Sequence, residues 1–170
     1  MYKRQSQLSA SLIVGLDQKF VHRKTTGLDT LRFVQDLGFG VSSELRFGLR
    51  HTDYINQTDE LSPTIAASVS NAVALSDTSI AKVAVSASAV MNESTTYWSA
   101  GLSAKFYHSW SDKHTLATRL DYRHAESEGQ LPVQYTLGEG NGLRGYANRL
   151  LAGNERLLIN LEHRLSLIHI

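Results

Sequence analysis

The chain has 170 residues, enough for one ordinary domain with a sizeable core. Its formal charge is +1 with acids and bases interspersed, which argues against a basic field for nucleic acid and against an acidic tail. It contains no cysteine, so disulfide frames, thiolate metal sites and cysteine nucleophiles are excluded.

The opening MYKRQSQLSASLIVG carries basic residues but only a short apolar run at 12–14. A secretory signal needs an apolar stretch of about 7–15 residues. No later segment reaches the roughly 18 apolar residues of a membrane helix. The expectation is a cytosolic chain, or one whose true N-terminus lies upstream.

From there the hydrophobic period is two rather than 3.6. Weak alternation covers residues 8–20 and 28–34. Next, Val41, Ser43, Leu45, Phe47 and Leu49 alternate with Ser42, Glu44, Arg46, Gly48 and Arg50. Weaker alternation returns over 65–75 and 81–91. Trp98, Ala100, Leu102, Ala104 and Phe106 then alternate with Ser99, Gly101, Ser103, Lys105 and Tyr107. Leu116, Thr118, Leu120 and Tyr122 alternate with Ala117, Arg119, Asp121 and Arg123. Last, Leu157, Ile159, Leu161 and Leu165 alternate with Leu158, Asn160, Glu162 and Arg164. The pattern predicts an all-β chain of about eight antiparallel strands, each of about 8–14 residues.

Tight polar turns are expected at Gln35-Asp36, Ser76-Asp77-Thr78 and Ser111-Asp112-Lys113. Longer connections are expected at 22–26, 54–63 and 126–155, with a short exception at 92–95. Short turns at one end and longer loops at the other mark an outer-membrane barrel. In a soluble sandwich the apolar face would instead be the core. Three details favour the barrel. The polar face pairs opposite charges at adjacent sites (Glu44/Arg46, Arg119/Asp121/Arg123). The apolar face is rich in alanine, which fills a core poorly. Aromatics cluster near strand ends, at Tyr54, Tyr97, Trp98, Tyr107, Trp110 and Tyr122.

The stretch LGEGNGLRGYANR, residues 137–149, sets Gly138, Gly140, Gly142 and Gly145 around Arg144. Gly140 to Gly145 matches G-x-G-x-x-G, but the flanks do not suit a dinucleotide site. A proline-containing loop precedes it, and 147–153 is too short for the crossover helix. Glycine permits sharp turns, so a compact loop and a flexible surface loop are both open on the residues alone. No G-x-S-x-G elbow and no H-E-x-x-H occurs, so neither an enzyme nor a metal site is expected.

Leu143-Arg144-Gly145-Tyr146, with the preceding glycines, Gly153-Asn154 and Asn160-Leu-Glu162-His-Arg164, resembles the BamA/TamA family of outer-membrane assembly factors. That family is also called bacterial surface antigen and includes the two-partner secretion transporters. The strands around 97–107 and 113–121 are similar to the two that precede the family's motif loop. The resemblance is specific over roughly 97–164 and merely compatible over 1–92. It implies that residues 1–170 are part of one transmembrane up-and-down β-barrel, about strands 5–12 of sixteen. Residues 126–155 would then be the sixth extracellular loop, folded into the lumen.

The resemblance also implies site roles. Arg144 would be the anchor, with Glu162 its partner on the inward face. Leu143, Gly145 and Tyr146 would complete the motif, and Gly138, Gly140 and Gly142 would let the loop turn. A second partner, an aspartate, would lie beyond Ile170. The implied activity is insertion of barrel proteins into the bacterial outer membrane, or passage of polypeptides across it, without catalysis or cofactor. Implied partners are outer-membrane lipid and client outer-membrane or secreted polypeptides, with periplasmic accessory proteins as further candidates. A passive pore or structural barrel is the alternative from another class, since a charged inner face suits it equally.

Overall fold

A computed structural model of the chain describes residues 5–25, 35–54, 60–91, 96–111, 113–128, 134–138, 140, 142–143 and 145–165. These contain nine strands and no α-helix: β1 (Gln5–Thr25), β2 (Gln35–Tyr54), β3 (Glu60–Ala74), β4 (Ser79–Met91), β5 (Thr96–Ser111), β6 (His114–Glu128), β7 (Tyr135–Leu137), β8 (Leu151–Gly153) and β9 (Glu155–Leu165). Seven form one antiparallel sheet in the order β1-β2-β3-β4-β5-β6-β9, and β7 pairs with β8 as a separate short ladder. The sheet is therefore an antiparallel meander, with β1 and β9 at its two edges.

Several expected boundaries move. Gln35 and Asp36 make no turn, because they pair with Thr25 and Lys24 inside the β1–β2 ladder. Likewise His22 to Thr25 belong to β1 rather than to a connection. The physical reason is common to both. Ladder hydrogen bonds use the backbone, so a hairpin continues through polar side chains that look like a loop. Pro63 also lies inside a strand, opposite Leu49, just before the β3–β4 ladder begins at Thr64↔Val90. Its missing N–H is tolerated there because β3 has a partner on one side only. The strand expected at 28–34 lies outside the described residues.

Alternation sorts the sheet into two unlike faces. One carries Leu12, Val14, Leu45, Phe47, Val69, Val85, Leu157, Ile159 and Leu161, all exposed, the last three at 57%, 64% and 70%. Aromatic and histidine clusters sit at both ends of this face. At one end Trp110 stacks on His114 and His163. At the other Trp98 lies 4.9 Å from His124, whose Nδ1 contacts Glu155. The opposite face is polar and charged. It carries acid–base pairs two residues apart on single strands: Asp17–Lys19, Glu44–Arg46 and Glu162–Arg164, each at 2.9 Å.

The polar face is concave. Arg46, Ser68, Ser86, Ser99 and Arg123, from β2 through β6, line one hollow of about 310 Å³. Five flat strands would span roughly 19 Å, so the sheet must curl toward this face to gather them round one hollow. A small apolar cluster also lies on it: Phe39, Ile80, Tyr107 and Ala117, with Leu37 and Ala72 packed alongside. Phe39 joins through a break in phase. Gly40 adopts φ +140° opposite a register shift between Lys19 and Val21. A side chain at Gly40 would run into the Gln18 carbonyl oxygen. Gly40→Ala should therefore lose about 1–3 kcal/mol from backbone strain alone. Gly15→Ala, whose added methyl meets only the Ser43 oxygen at 3.4 Å, should change stability by under about 1 kcal/mol. Urea unfolding midpoints of the two variants give the comparison.

Candidate functional site

The site lies on the polar face of β6 and β9, where period two brings alternate residues inward. Asp121 of β6 is only 2% exposed. Arg156 Nη2 donates to it at 2.7 Å, Arg119 Nη2 approaches at 3.4 Å and Arg123 Nε at 3.5 Å. Arg123 and Arg156 stand directly opposite each other in the ladder. Opposed like charges repel, and the buried carboxylate between them offsets that repulsion.

Described residues between β6 and β9 lie against this charged surface. Their stem is the β7–β8 pair, with Tyr135 opposite Gly153. The Arg156 guanidinium sits 5.8 Å from the centre of the Tyr135 ring, a cation–π contact. The Tyr135 hydroxyl is hydrogen-bonded with Ser99 and Tyr97, and burial pushes its phenol above the ordinary value.

The glycine tip makes the next contacts. Gly142 holds φ +107°, and a Cβ there would lie 2.5 Å from Leu158 Cδ2. Its carbonyl accepts a bond from Asn160 Nδ2 at 3.2 Å. Gly138 is buried, and its carbonyl accepts the Leu143 N–H at 3.0 Å. The Gly140 N–H donates to Asn148 Oδ1 at 3.0 Å. Gly145, at φ +84°, is exposed. Tyr146 is 55% exposed and donates its N–H to the Leu143 oxygen at 3.4 Å.

Arg144 lies outside the described residues. Its neighbour Leu143 lines a cavity of about 690 Å³ together with Lys105, Arg119, Asn160, Glu162 and Arg164. Glu162 Oε2 accepts bonds from Arg164 Nη2 at 2.9 Å and Arg164 Nε at 3.1 Å. The structure thus brings Gly142, Leu143 and Glu162 to one place, while Gly145 and Tyr146 face solvent. It adds Asp121, Tyr135, Arg156 and Asn160, which sequence reading did not single out as a site. The only signal for Asp121 was its position between two arginines on one strand. Among the described residues no group of three or more His, Cys, Asp or Glu could hold a metal ion.

Comparison with family models, with curated proteins and with solved structures finds no match for the chain.

The Asp121 cluster should behave as one unit. Asp121→Asn leaves three guanidinium groups around an uncharged amide and should lose about 3–5 kcal/mol. Adding Arg156→Met should lose less than the sum of the two single changes, by about 0.5–3 kcal/mol. A double-mutant cycle by chemical unfolding measures both quantities.

Proposed function

We propose that the chain forms part of the wall of an outer-membrane β-barrel of the BamA/TamA type, which inserts or translocates polypeptides at the bacterial outer membrane. The observation that carries the membrane part is the pairing of faces. A single sheet exposes a continuous apolar surface on one side and curls its charged side inward. Exposed apolar surfaces beyond a few hundred Å² mark contact with another apolar phase.

The dimensions suit a bilayer. Trp98 and Trp110 lie near opposite ends of β5. Twelve residues at about 3.3 Å, tilted by about 45°, rise roughly 28 Å, close to the height of a barrel's apolar band. Lipid tolerates no unpaired strand edge. On this reading further strands, from this chain or another, cover β1 and β9. If β9 is the strand after the sixth outer loop, the seven strands correspond to the sixth through twelfth.

The assembly part rests on the loop. The resemblance assigns Arg144 to Glu162, and Leu143 shares a cavity with that carboxylate. A guanidinium presents two parallel donors to a carboxylate, the stronger kind of polar anchor in a wet space. The same charged hollows would equally line a passive pore, so the anchor is the feature that separates the two readings.

Two measurements test the proposal. Ile159→Arg places a charge in the middle of the apolar face. For protein folded into phospholipid vesicles it should lose about 2–4 kcal/mol, and no loss would remove the membrane reading. For the loop, R144C with E162C should form a disulfide in isolated outer membranes, with no native cysteine to confuse the result. Free labelling of R144C by an impermeant maleimide from outside the cell, without crosslinking, would leave a barrel with an ordinary surface loop.

A further inference from the structure

Two histidines from different strands meet at one end of the apolar face. His114 of β6 sits opposite Leu165, and His163 of β9 sits opposite Leu116, one diagonal step away in the ladder. Long side chains reach each other across that diagonal. His114 Nδ1 and His163 Nε2 are 2.9 Å apart. The ring centres are 5.1 Å apart and the ring planes differ by 8°. Centres so far apart, with nitrogens so close, require both nitrogens to lie almost on the line between the centres. The rings are therefore nearly coplanar and meet head-on, sharing one proton in a straight N–H···N bond. Trp110 of β5 stacks on both. Its ring centre is 5.7 Å from that of His114 at 18°, and 5.3 Å from that of His163 at 16°. His163 and Trp110 are exposed, so solutes reach the junction.

Two converging imidazole nitrogens suit a metal ion, and their surroundings select its kind. Structural zinc takes four ligands. Among the described residues no third His, Cys, Asp or Glu completes such a set here. An ion satisfied by two nitrogens in line is a monovalent d10 cation of the copper(I) and silver(I) class. The chain has no cysteine, the residue that otherwise draws such soft ions away. We propose that His114 and His163 bind a copper(I)-class cation in line between Nδ1 and Nε2, with the Trp110 indole stacked against it. The cation takes the place of the shared proton. That proton passes through water to the far nitrogen of the same ring, so both rings stay neutral and no net proton is released. Two metal–imidazole bonds of about 2 Å part the facing nitrogens to about 4 Å. The indole lies within the roughly 6 Å reach of a cation–π contact. The site rests on three side chains and holds whether or not the sheet spans a membrane.

Silver(I) is the probe, because it shares the coordination preference and needs no reductant. Trp98→Phe leaves Trp110 as the one indole of the chain. Silver nitrate added to this purified folded variant, in non-ionic detergent and chloride-free buffer, should quench its fluorescence saturably at one ion per chain. His114→Gln and His163→Gln, made in the same background, should each weaken binding by at least about tenfold, since losing even a residue that only supports a ligand costs about 10–100-fold. Their urea midpoints without silver check that both variants fold. His124→Gln, at the other end of the face, should leave the response unchanged, and zinc sulfate at equal concentration should not compete. Silver should also raise the urea midpoint of the native protein, because the two histidines are 49 residues apart and meet only in the folded chain. No saturable quenching, equal quenching in both histidine variants, or effective competition by zinc would overturn the proposal.

Discussion

The rest of the molecule follows from a period of two carried through a single layer. Each strand of the sheet turns alternate residues to opposite sides, and among the described residues only the short β7–β8 pair and its glycine tip lie over one of them, the polar side. The residues that become buried are therefore few, and those in Phe39, Ile80, Tyr107 and Ala117 lie on the charged side. Large aliphatic residues stay exposed on the other. A water-soluble domain inverts this arrangement, because apolar burial is its main favourable term. The proposed membrane location resolves the inversion without altering any strand.

The phase of two needs a correction near one end of the sheet, and the chain makes it with a glycine and a bulge. Past Gly40, Phe39 and Leu37 pack with residues of the polar face although their parity would send them the other way. The extra residue of the register shift, Phe20, lies on β1, and on β2 the change of face coincides with Gly40 at φ +140°. This places the apolar cluster across one end of the charged hollow, next to the turn at 75–78. Tyr107 joins this cluster to the cavity under the loop, because it belongs to both.

Alternation made the all-β class legible, along with the inward position of Glu44, Arg46, Arg119, Asp121, Arg123 and Glu162. It failed at strand ends. Gln35 and Asp36 read as a turn by composition, yet backbone pairing does not require apolar side chains. It also could not show that Asp121 is a buried hub. Of the three arginines around it, Arg119 and Arg123 are two residues away, but Arg156 is 35 residues distant and reaches it only through the β6–β9 register. Tyr135 was hidden for a similar reason. It follows a proline-containing stretch that reads as loop, and its partners Ser99 and Tyr97 lie on another strand. Register is a tertiary quantity, and a period alone does not contain it.

The glycines of the 137–149 stretch have a use that does not depend on the arginine among them. A loop laid on a side-chain-covered sheet must bring its backbone close, and each Cβ it carries holds it away. At Gly142 a methyl would overlap Leu158, while the bare backbone lets its carbonyl reach Asn160. At Gly138 a methyl would meet the Ala147 oxygen at 2.5 Å, which would open the tip where its two limbs meet. Glycine loses more conformational freedom on folding than other residues, so such a run is costly unless contacts of this kind offset it. The backbone contacts at Gly142 hold the loop to β9 first. On the proposed reading Arg144 then adds direction, selecting Glu162 within a surface the loop already touches.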